Sequence, residues 1–228
     1  MRRSHAGSVP ARSLIAPLSL AASLAAGPVA AQSPASFWTV EALSGSAASV
    51  GATLTVRQEG DPDIRHAARW ATRPFRQPIY WAARLGRSSQ RGGWEIELIH
   101  HKIYLENPTP EVSQFEITHG FNIATVQRTW IRRGWILRAG AGAVVAHAQS
   151  RVRGLSAGRG DDEVDRYELA GPAFQIGVGR RFRFTRRFFG TLEGKATYGH
   201  ARVSVARGKA STGNFAVHGL FGVGAAFP

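Results

Sequence analysis

The stretch from Trp94 to Asn122 gathers several side chains whose types could carry out chemistry. They stand among Trp, Ile, Leu and Phe residues and are Glu95, Glu97, His100, His101, Lys102, Glu116, His119 and Asn122. Histidine and carboxylate groups suit general acid–base catalysis and the binding of divalent or redox metals. They equally suit the polar side of a strand whose other side is apolar, so the elements that carry them must decide between these functions.

Alternation of apolar and polar residues with a period of two recurs along the chain and predicts strands with two different faces. In the last such segment, Phe215, Val217, Phe221 and Val223 alternate with small or polar residues. Eight strands are predicted, joined alternately by short arginine-rich turns and longer polar loops. They span about Phe37–Ser44, Arg76–Gly86, Gly93–Tyr104, Gln114–Arg128, Trp135–His147, Tyr167–Arg180, Phe188–His200 and Asn214–Phe227.

This layout is typical of an all-β protein, an eight-stranded antiparallel transmembrane β-barrel of the bacterial outer membrane. Its apolar face would meet lipid, and its narrow lumen would be filled by side chains. Aromatic girdles are expected where tryptophans lie near strand ends. These tryptophans are Trp38, Trp81, Trp94, Trp130 and Trp135.

The N-terminus has the three parts of a cleaved signal peptide, predicted over residues 1–31, with the barrel domain over 32–228. Arginines precede an apolar stretch from Leu14 to Ala26, and Ala31 ends a small-residue cleavage site before Gln32. Such a chain is expected to pass through the periplasm to the outer membrane. Export argues against a nucleic-acid partner, and the formal charge of +14 favours phospholipid or lipopolysaccharide phosphates. With no cysteine in the chain, disulfides, thiolate catalysis and thiolate metal sites are excluded.

Strand parity sorts the polar groups of the opening stretch. Because Trp94, Ile96 and Leu98 would face lipid, the residues between and beyond them, Glu95, Glu97 and His101, are expected to face the lumen. Glu116, Thr118 and Asn122 of the next strand are expected to join them, whereas His100, Lys102 and His119 fall on the lipid side at the outer boundary. The remaining inward charges should form an ion-paired core, and they are Glu41, Arg84, Arg138, Glu193 and Lys195.

Two metal sites can be imagined from these residue types. His101, Glu97 and Glu116, or His218 across the lumen in place of Glu116, form a candidate set for a divalent or redox metal used with molecular oxygen. His100 and His101 cannot both bind one metal without a bulge, because neighbours on a strand face opposite ways. The acidic loop from Gly158 to Glu168 could bind a cation through Asp161, Asp162, Glu163 and Asp165, although its irregular spacing favours an ordinary solvated loop.

A resemblance to a known group rests on "ELIHHKIYLENPTPEVSQFEITHGFN", with "RQPIYWAARLGR" before it and "LRAGAGAVVAHAQS" after it. This region, about Gln77 to Ser150, resembles small outer-membrane barrels described as lipid A oxidase-like. The matching positions are His100, His101 and Lys102 on one strand and His119, Gly120 and Asn122 on the next. The resemblance implies an oxidoreductase that uses oxygen to convert the proximal glucosamine of lipid A to an aminogluconate unit.

Two functions therefore stay open at this point. One is a lipid A-modifying enzyme with candidate catalytic residues His101, Glu97, Glu116, Lys102, His119 and Asn122. The other is a non-enzymatic barrel that binds lipopolysaccharide and stabilises the envelope. In both, the partners are outer-membrane lipid and lipid A. Residues that bind a cofactor are not identified by the sequence, and neither is the oligomeric state, for which a monomer is expected.

Overall fold

The computed structural model describes residues 36–158 and 167–228, and in these ranges the chain is built from strands. No helix within them is long and apolar enough to cross a membrane. The strands are β1 (Phe37–Ser49), β2 (Ala52–Gln58), β3 (Ile64–Ala68), β4 (Trp70–Ala71), β5 (Trp81–Ser89), β6 (Gly92–Leu105), β7 (Val112–Arg132), β8 (Trp135–Ala146), β9 (Gln149–Val152), β10 (Leu155–Ala157), β11 (Glu168–Arg183), β12 (Phe188–Val205) and β13 (Gly208–Phe227).

Eight of these strands close into a barrel in which each pairs antiparallel with both neighbours. The order around the ring is β1, β5, β6, β7, β8, β11, β12 and β13, and β13 returns to β1 with Ala225 opposite Val40. Closure leaves no unpaired edge in the ring, which a strand structure needs in hydrocarbon because the backbone finds no water there. The predicted eight-stranded antiparallel barrel is confirmed.

The strands extend further toward the loop side than the sequence predicted. Residues 201–213, expected to be a loop, instead continue β12 and β13 as a hairpin that turns at Ala206 and Arg207. In this part Val203 and Val205 are buried while Arg202 is exposed, so the alternation persists although the segment is rich in polar residues. The first predicted loop likewise contains β2, which pairs with β13 and with β3.

The exterior of the barrel is apolar along its middle. Ile96, Ile176 and Val223 each expose about 60% of their surface, at 59%, 64% and 63%. Rows of exposed aliphatic side chains around a closed ring match the lipid-facing band of an outer-membrane barrel. The five tryptophans predicted to form girdles are exposed on this surface as well, by 37% to 59%. This is an outer-membrane β-barrel, with short turns toward the periplasm and longer connections toward the outside.

The interior has two layers of opposite character. At the level of the apolar exterior it holds buried charges and amides, as predicted for the core residues Glu41, Arg84, Arg138, Glu193 and Lys195. Toward the loop side it becomes a hydrophobic core, where Leu54, Ile103, Ile117 and Val203 are among the buried residues. The apolar layer lies between the polar layer and the outside, so in the described ranges buried side chains fill the lumen at both levels.

Two predictions of the sequence fall outside the described residues. The signal peptide over residues 1–31 is one of them, and it stays a prediction. The other is the cation-binding alternative for the acidic loop, because Asp161, Asp162, Glu163 and Asp165 lie in the range that the structure does not describe.

Candidate functional site

An ion-pair network fills the membrane-level lumen. Arg84 Nη2 lies 3.1 Å from Glu193 and 3.2 Å from Glu97, and Arg138 Nε lies 2.8 Å from Glu95. Lys195 pairs with Glu97, and Arg181 pairs with Glu41. Among the described residues the network joins four carboxylates to four cations, so the buried formal charges balance. Glu95 and Glu97 therefore face the lumen, as predicted.

Glu97 is fully engaged in this network. Beside Arg84 and Lys195, its second oxygen accepts hydrogen bonds from the amides of Gln127 at 2.8 Å and Gln175 at 3.1 Å. A carboxylate held by two cations and two amides offers no free lone pair to a metal or a substrate. Its role in this structure is to neutralise Arg84 and Lys195.

His101 lies directly above the network in a second buried cluster. Its Nε2 is 3.1 Å from Asn214 Oδ1, and its ring contacts that of His218 with 5.3 Å between centroids. His218 in turn is 2.8 Å from both the Tyr80 hydroxyl and the Thr197 hydroxyl. The cluster is enclosed by the barrel wall and by the hydrophobic core above, with His101 0% exposed. The inward orientation predicted for His101 is confirmed, and its side chain is enclosed by the described residues.

The candidate metal set of His101, Glu97 and Glu116 is not brought together. Glu116 pairs across strands with Tyr104, seven residues along β6 from Glu97, which corresponds to roughly 20 Å. No group of three or more His, Asp or Glu side chains in residues 36–158 and 167–228 is arranged to hold a metal. The donor set expected for the metal therefore does not fit one.

The predicted parity of β7 is wrong at Glu116 and Asn122. Thr125 lies opposite Glu97, so the odd-numbered residues from Phe121 to Thr129 face the lumen and Asn122 faces outward. Beyond a bulge, Phe115 and Ile117 point to the core, which leaves Glu116 on the outer face, where it accepts a hydrogen bond from Gln114 at 2.9 Å. The register of β7 is set by its pairing with β6, so the sequence of β7 alone could not predict which of its residues face the lumen.

The bulge also decides the position of Lys102. On β6 only Lys102 lies between His101, which pairs with Phe121, and Ile103, which pairs with Ile117. Three residues of β7, 118 to 120, lie in the same interval, so the extra residues of the bulge belong to β7 and lie opposite Lys102. Lys102 was predicted to point to lipid, but its side chain is buried and its Nζ donates to the carbonyl oxygen of Arg76. This hydrogen bond joins the connection between β4 and β5 to the end of β6.

The outward-facing histidines meet in a groove on the lipid-facing surface at the loop end of the barrel. Four residues that are successive cross-strand partners form its floor: Trp81 on β5, His100 on β6, Asn122 on β7 and Val145 on β8. The groove has a volume of about 510 Å³. Its remaining walls are formed by Pro78, Leu98, His119 and Tyr167. His100 and His119 thus lie on the outward side, as predicted.

His100 is held firmly within this groove. Its ring stacks on that of Trp81 with 5.6 Å between centroids and 9° between planes, and its Nδ1 lies 2.8 Å from Asn122 Oδ1. Because Asn122 Oδ1 accepts, Nδ1 carries the proton and Nε2 has the free lone pair. The Nε2 atom is buried and has no hydrogen-bond partner in the described part of the chain. An oriented imidazole with an unpartnered basic nitrogen is the arrangement that a general base requires.

Ring contacts connect His119, the second histidine of the groove, to Tyr167, the residue before β11. The His119 and His147 rings lie 5.0 Å apart, His147 lies 5.3 Å from Tyr167, and the Tyr167 hydroxyl donates to the His119 carbonyl at 2.7 Å. His119 and Asn122 are candidate residues from the sequence, whereas the sequence did not identify Trp81 and Tyr167 as part of this groove. The cross-strand register identifies Trp81, and no local sequence signal identifies Tyr167.

Comparison with known proteins bears on the fold alone. Neither a protein-family model nor a curated protein sequence matches the chain. Among solved structures, it is similar to the outer membrane protein OprG from Pseudomonas aeruginosa, with a TM-score of 0.42, 8% identity and coverage of 85% of this chain and 97% of that one. It is also similar to the outer membrane protein AlkL, with a TM-score of 0.40, 11% identity and coverage of 84% of this chain and 89% of that one. For Ail of Yersinia pestis the TM-score is 0.37, the identity is 12%, and the coverage is 84% of this chain and 97% of that one. The assignment as an outer-membrane barrel rests on this chain's own strand order and apolar exterior.

Proposed function

We propose that this barrel modifies lipid A in the lipid-facing groove, with His100 as the base that takes a proton from a sugar hydroxyl. The observation that carries the proposal is the buried Nε2 atom of His100, which has no partner among the described residues while Asn122 holds Nδ1. A buried nitrogen that lacks a hydrogen bond is costly to the fold, and a substrate hydroxyl would satisfy it once the side chains that cover the nitrogen move apart. The groove replaces the lumen as the candidate site, because His101 and Glu97 are enclosed.

The surroundings of the groove suit an amphiphilic sugar lipid of the outer leaflet. Pro78, Leu98 and Val145 supply apolar walls, while His119 and Tyr167 supply polar ones. The connection that contains Pro78 also carries Arg73 and Arg76, whose guanidinium groups lie 4.6 Å and 5.8 Å from the centre of the Tyr104 ring. Their positive charge near the groove favours a ligand that carries phosphates, as lipid A does.

The reaction implied by the resemblance is an oxidation at the hemiacetal carbon of the proximal glucosamine. That carbon would lose two electrons and two protons to molecular oxygen, which yields hydrogen peroxide and a lactone, and hydrolysis of the lactone gives the aminogluconate. The net change is a gain of one oxygen, about 16 mass units. His100 accounts for the proton acceptor in this scheme. The electron acceptor is not assigned to residues of the chain.

The test is the mass of lipid A from a host that produces the protein under aerobic growth and whose lipid A has a free anomeric hydroxyl on the proximal glucosamine. A phosphate on that carbon would leave no hemiacetal to oxidise. We expect a shift of about +16 relative to the empty host, reduced at least about 100-fold in yield by His100→Gln, which removes the base. Asn122→Leu should reduce it less, because the base stays but its orientation is lost. His66→Gln, in the β2–β3 extension, and Arg132→Gln, on a periplasmic turn, serve as matched controls and should leave the shift intact.

Four outcomes would contradict this proposal. An unchanged lipid A profile in a host that retains the substrate would do so, as would a shift that survives His100→Gln. A shift that depends on His101 and not on His100 would move the chemistry back to the lumen. Loss of an acyl chain in place of the +16 shift would keep the groove but replace oxidation by deacylation.

A non-enzymatic role in the envelope is the second candidate, and the balanced ion-pair network favours it. A packed, charge-neutral lumen yields a rigid barrel with no conduction pathway, which suits a protein that only anchors lipopolysaccharide. In this case lipid A would keep its mass, and producing the protein would make the host more resistant to detergents. His100→Gln would leave that resistance unchanged.

A further inference from the structure

Three arginines lie at the turn between β11 and β12, on the periplasmic end of the barrel, without acidic partners among the described residues. Arg183 ends β11, and Arg186 and Arg187 lie on the turn to β12 that the hydrogen bond from Phe184 N to Phe188 O closes at 3.0 Å. All three side chains are exposed, and in the described ranges none of them makes an ion pair. We call these three residues the arginine rim.

The neighbouring Arg181 shows why the rim differs from the core. Arg181 lies two residues before Arg183 and faces into the barrel, where Glu41 and Glu95 accept its hydrogen bonds. Its charge is therefore neutralised within the network. The charges of the arginine rim have no such compensation in the part of the chain that the structure describes, so an anion from outside is the natural counter-charge.

The arginine rim lies between two connected hollows. One, of about 330 Å³, is lined by the rim and by apolar side chains that include Phe37, Ile136 and Phe189. The other, of about 420 Å³, shares Phe37 and the rim and reaches Phe227 and Pro228 at the last strand. Positive and apolar groups therefore line the same space.

The apolar side of these hollows continues onto the lipid-facing surface. Phe188 begins β12 and Phe227 ends β13, and both point outward with 57% and 43% of their surface exposed. Around the same end of the barrel, arginines lie over girdle tryptophans, as Arg87 does over Trp38 at 5.6 Å and Arg128 over Trp94 at 5.5 Å. Tryptophan girdles mark the headgroup level of a membrane, so the rim lies at the level of the inner-leaflet phosphates.

We propose that the arginine rim is a binding site for an anionic phospholipid of the inner leaflet. The phosphate would contact the guanidinium groups of Arg183, Arg186 and Arg187, and an acyl chain would run from the hollows over Phe188 and Phe227. The apolar continuation onto the lipid-facing exterior favours a lipid over an acidic periplasmic protein, which would remain in water. This site lies at the opposite end of the barrel from the His100 groove and does not depend on the function proposed there.

The test is competitive lipid binding to the detergent-purified mature protein, measured by native mass spectrometry. Phosphatidylglycerol and phosphatidylcholine with identical acyl chains are offered in equal amounts. We expect a preference of about tenfold or more for phosphatidylglycerol, which the triple variant Arg183→Gln, Arg186→Gln, Arg187→Gln abolishes. The matched control, Arg65→Gln, Arg69→Gln, Arg202→Gln, removes three exposed arginines from the loop side and should keep the preference.

Additional variants make the result decisive. Should the triple variant fail to show heat-dependent gel migration, Arg186→Gln alone is used, with a several-fold loss of preference expected. His100→Gln should leave the preference unchanged. Equal binding of both lipids, or equal loss in the loop-side control, would overturn the proposal. Tighter binding of a hexaglutamate peptide than of phosphatidylglycerol would overturn it in favour of an acidic protein partner.

Discussion

His100 and Asn122 are direct cross-strand partners, and the distance between His100 Nδ1 and Asn122 Oδ1 is 2.8 Å. The two side chains face the membrane at the loop end of the barrel, next to Trp81. This contact fixes the ring orientation and the tautomer of His100. Both residues lie on strands of the ring, so no loop is needed to hold them in place. It is the feature on which a chemical role for the barrel depends.

The contact predicts the neutral tautomer of His100. We expect the proton on Nδ1 in the wild type, because Asn122 Oδ1 accepts it, and a shift toward the Nε2-protonated form in Asn122→Leu. The nitrogen chemical shifts of histidine-labelled protein report both forms. Asn214→Leu, which removes the partner of His101, is the matched control and should leave the His100 signals in place. A wild-type His100 protonated on Nε2 would refute the assigned orientation.

The lumen network predicts a large loss of stability when one carboxylate is neutralised. Glu193 contacts Arg84, Arg138 and Lys195, so Glu193→Gln leaves three buried cations short of a counter-charge. We expect the free energy of unfolding in detergent to fall by about 3–5 kcal/mol. Glu106→Gln, at an exposed position on the loop side, should change it little. Equal stability of the two variants would mean that Glu193 does not face the lumen.

Glu168 predicts a pH dependence of stability on the loop side. Burial by itself raises the pKa of its carboxyl, but hydrogen bonds from Ser204 and Lys209 and the positive charge of Lys209 outweigh it, and the pKa falls below its ordinary value. The ionised group therefore stabilises the fold above the unfolded-state pKa, and this contribution is lost as pH falls through the lower folded pKa.

The variant Glu168→Gln should accordingly destabilise the barrel at neutral pH and converge with the wild type in acid. Thermal unfolding of both proteins between neutral pH and about pH 3 measures the difference. Glu59→Gln, an exposed carboxylate without an ion pair in the described ranges, is the control and should show no such convergence. A wild-type advantage that grows toward acid would contradict the sign of the shift.

The N-terminal pattern predicts that the mature protein begins at Gln32. Intact-mass measurement of the protein from outer membranes should show the loss of residues 1–31. Replacing the small residue at the cleavage site, Ala31→Leu, should leave the precursor uncleaved, since the peptidase needs small side chains there. Ser36→Ala, which lies beyond the site, is the matched control and should be processed normally. A membrane-bound protein that retains Met1 would contradict the prediction.

Sequence alone determined the features that depend on local alternation. The period of two specified the eight strands of the ring and the outward face of β6. It also placed Glu95, Glu97 and His101 inside, with His100 outside. The signal was strong because each exposed position meets lipid and each inward position meets a crowded polar lumen, so the two faces require different residues.

Tertiary structure decided what depends on the pairing of distant strands. The register of β7 turned Asn122 toward His100 and Glu116 away from the lumen, and the bulge of β7 opposite Lys102 could not be predicted from either strand by itself. The engagement of Glu97 by Arg84 and Lys195 likewise joins three strands. A one-residue change of register turns every side chain of a strand to the other face, and the partner strand that sets the register is invisible in the local sequence.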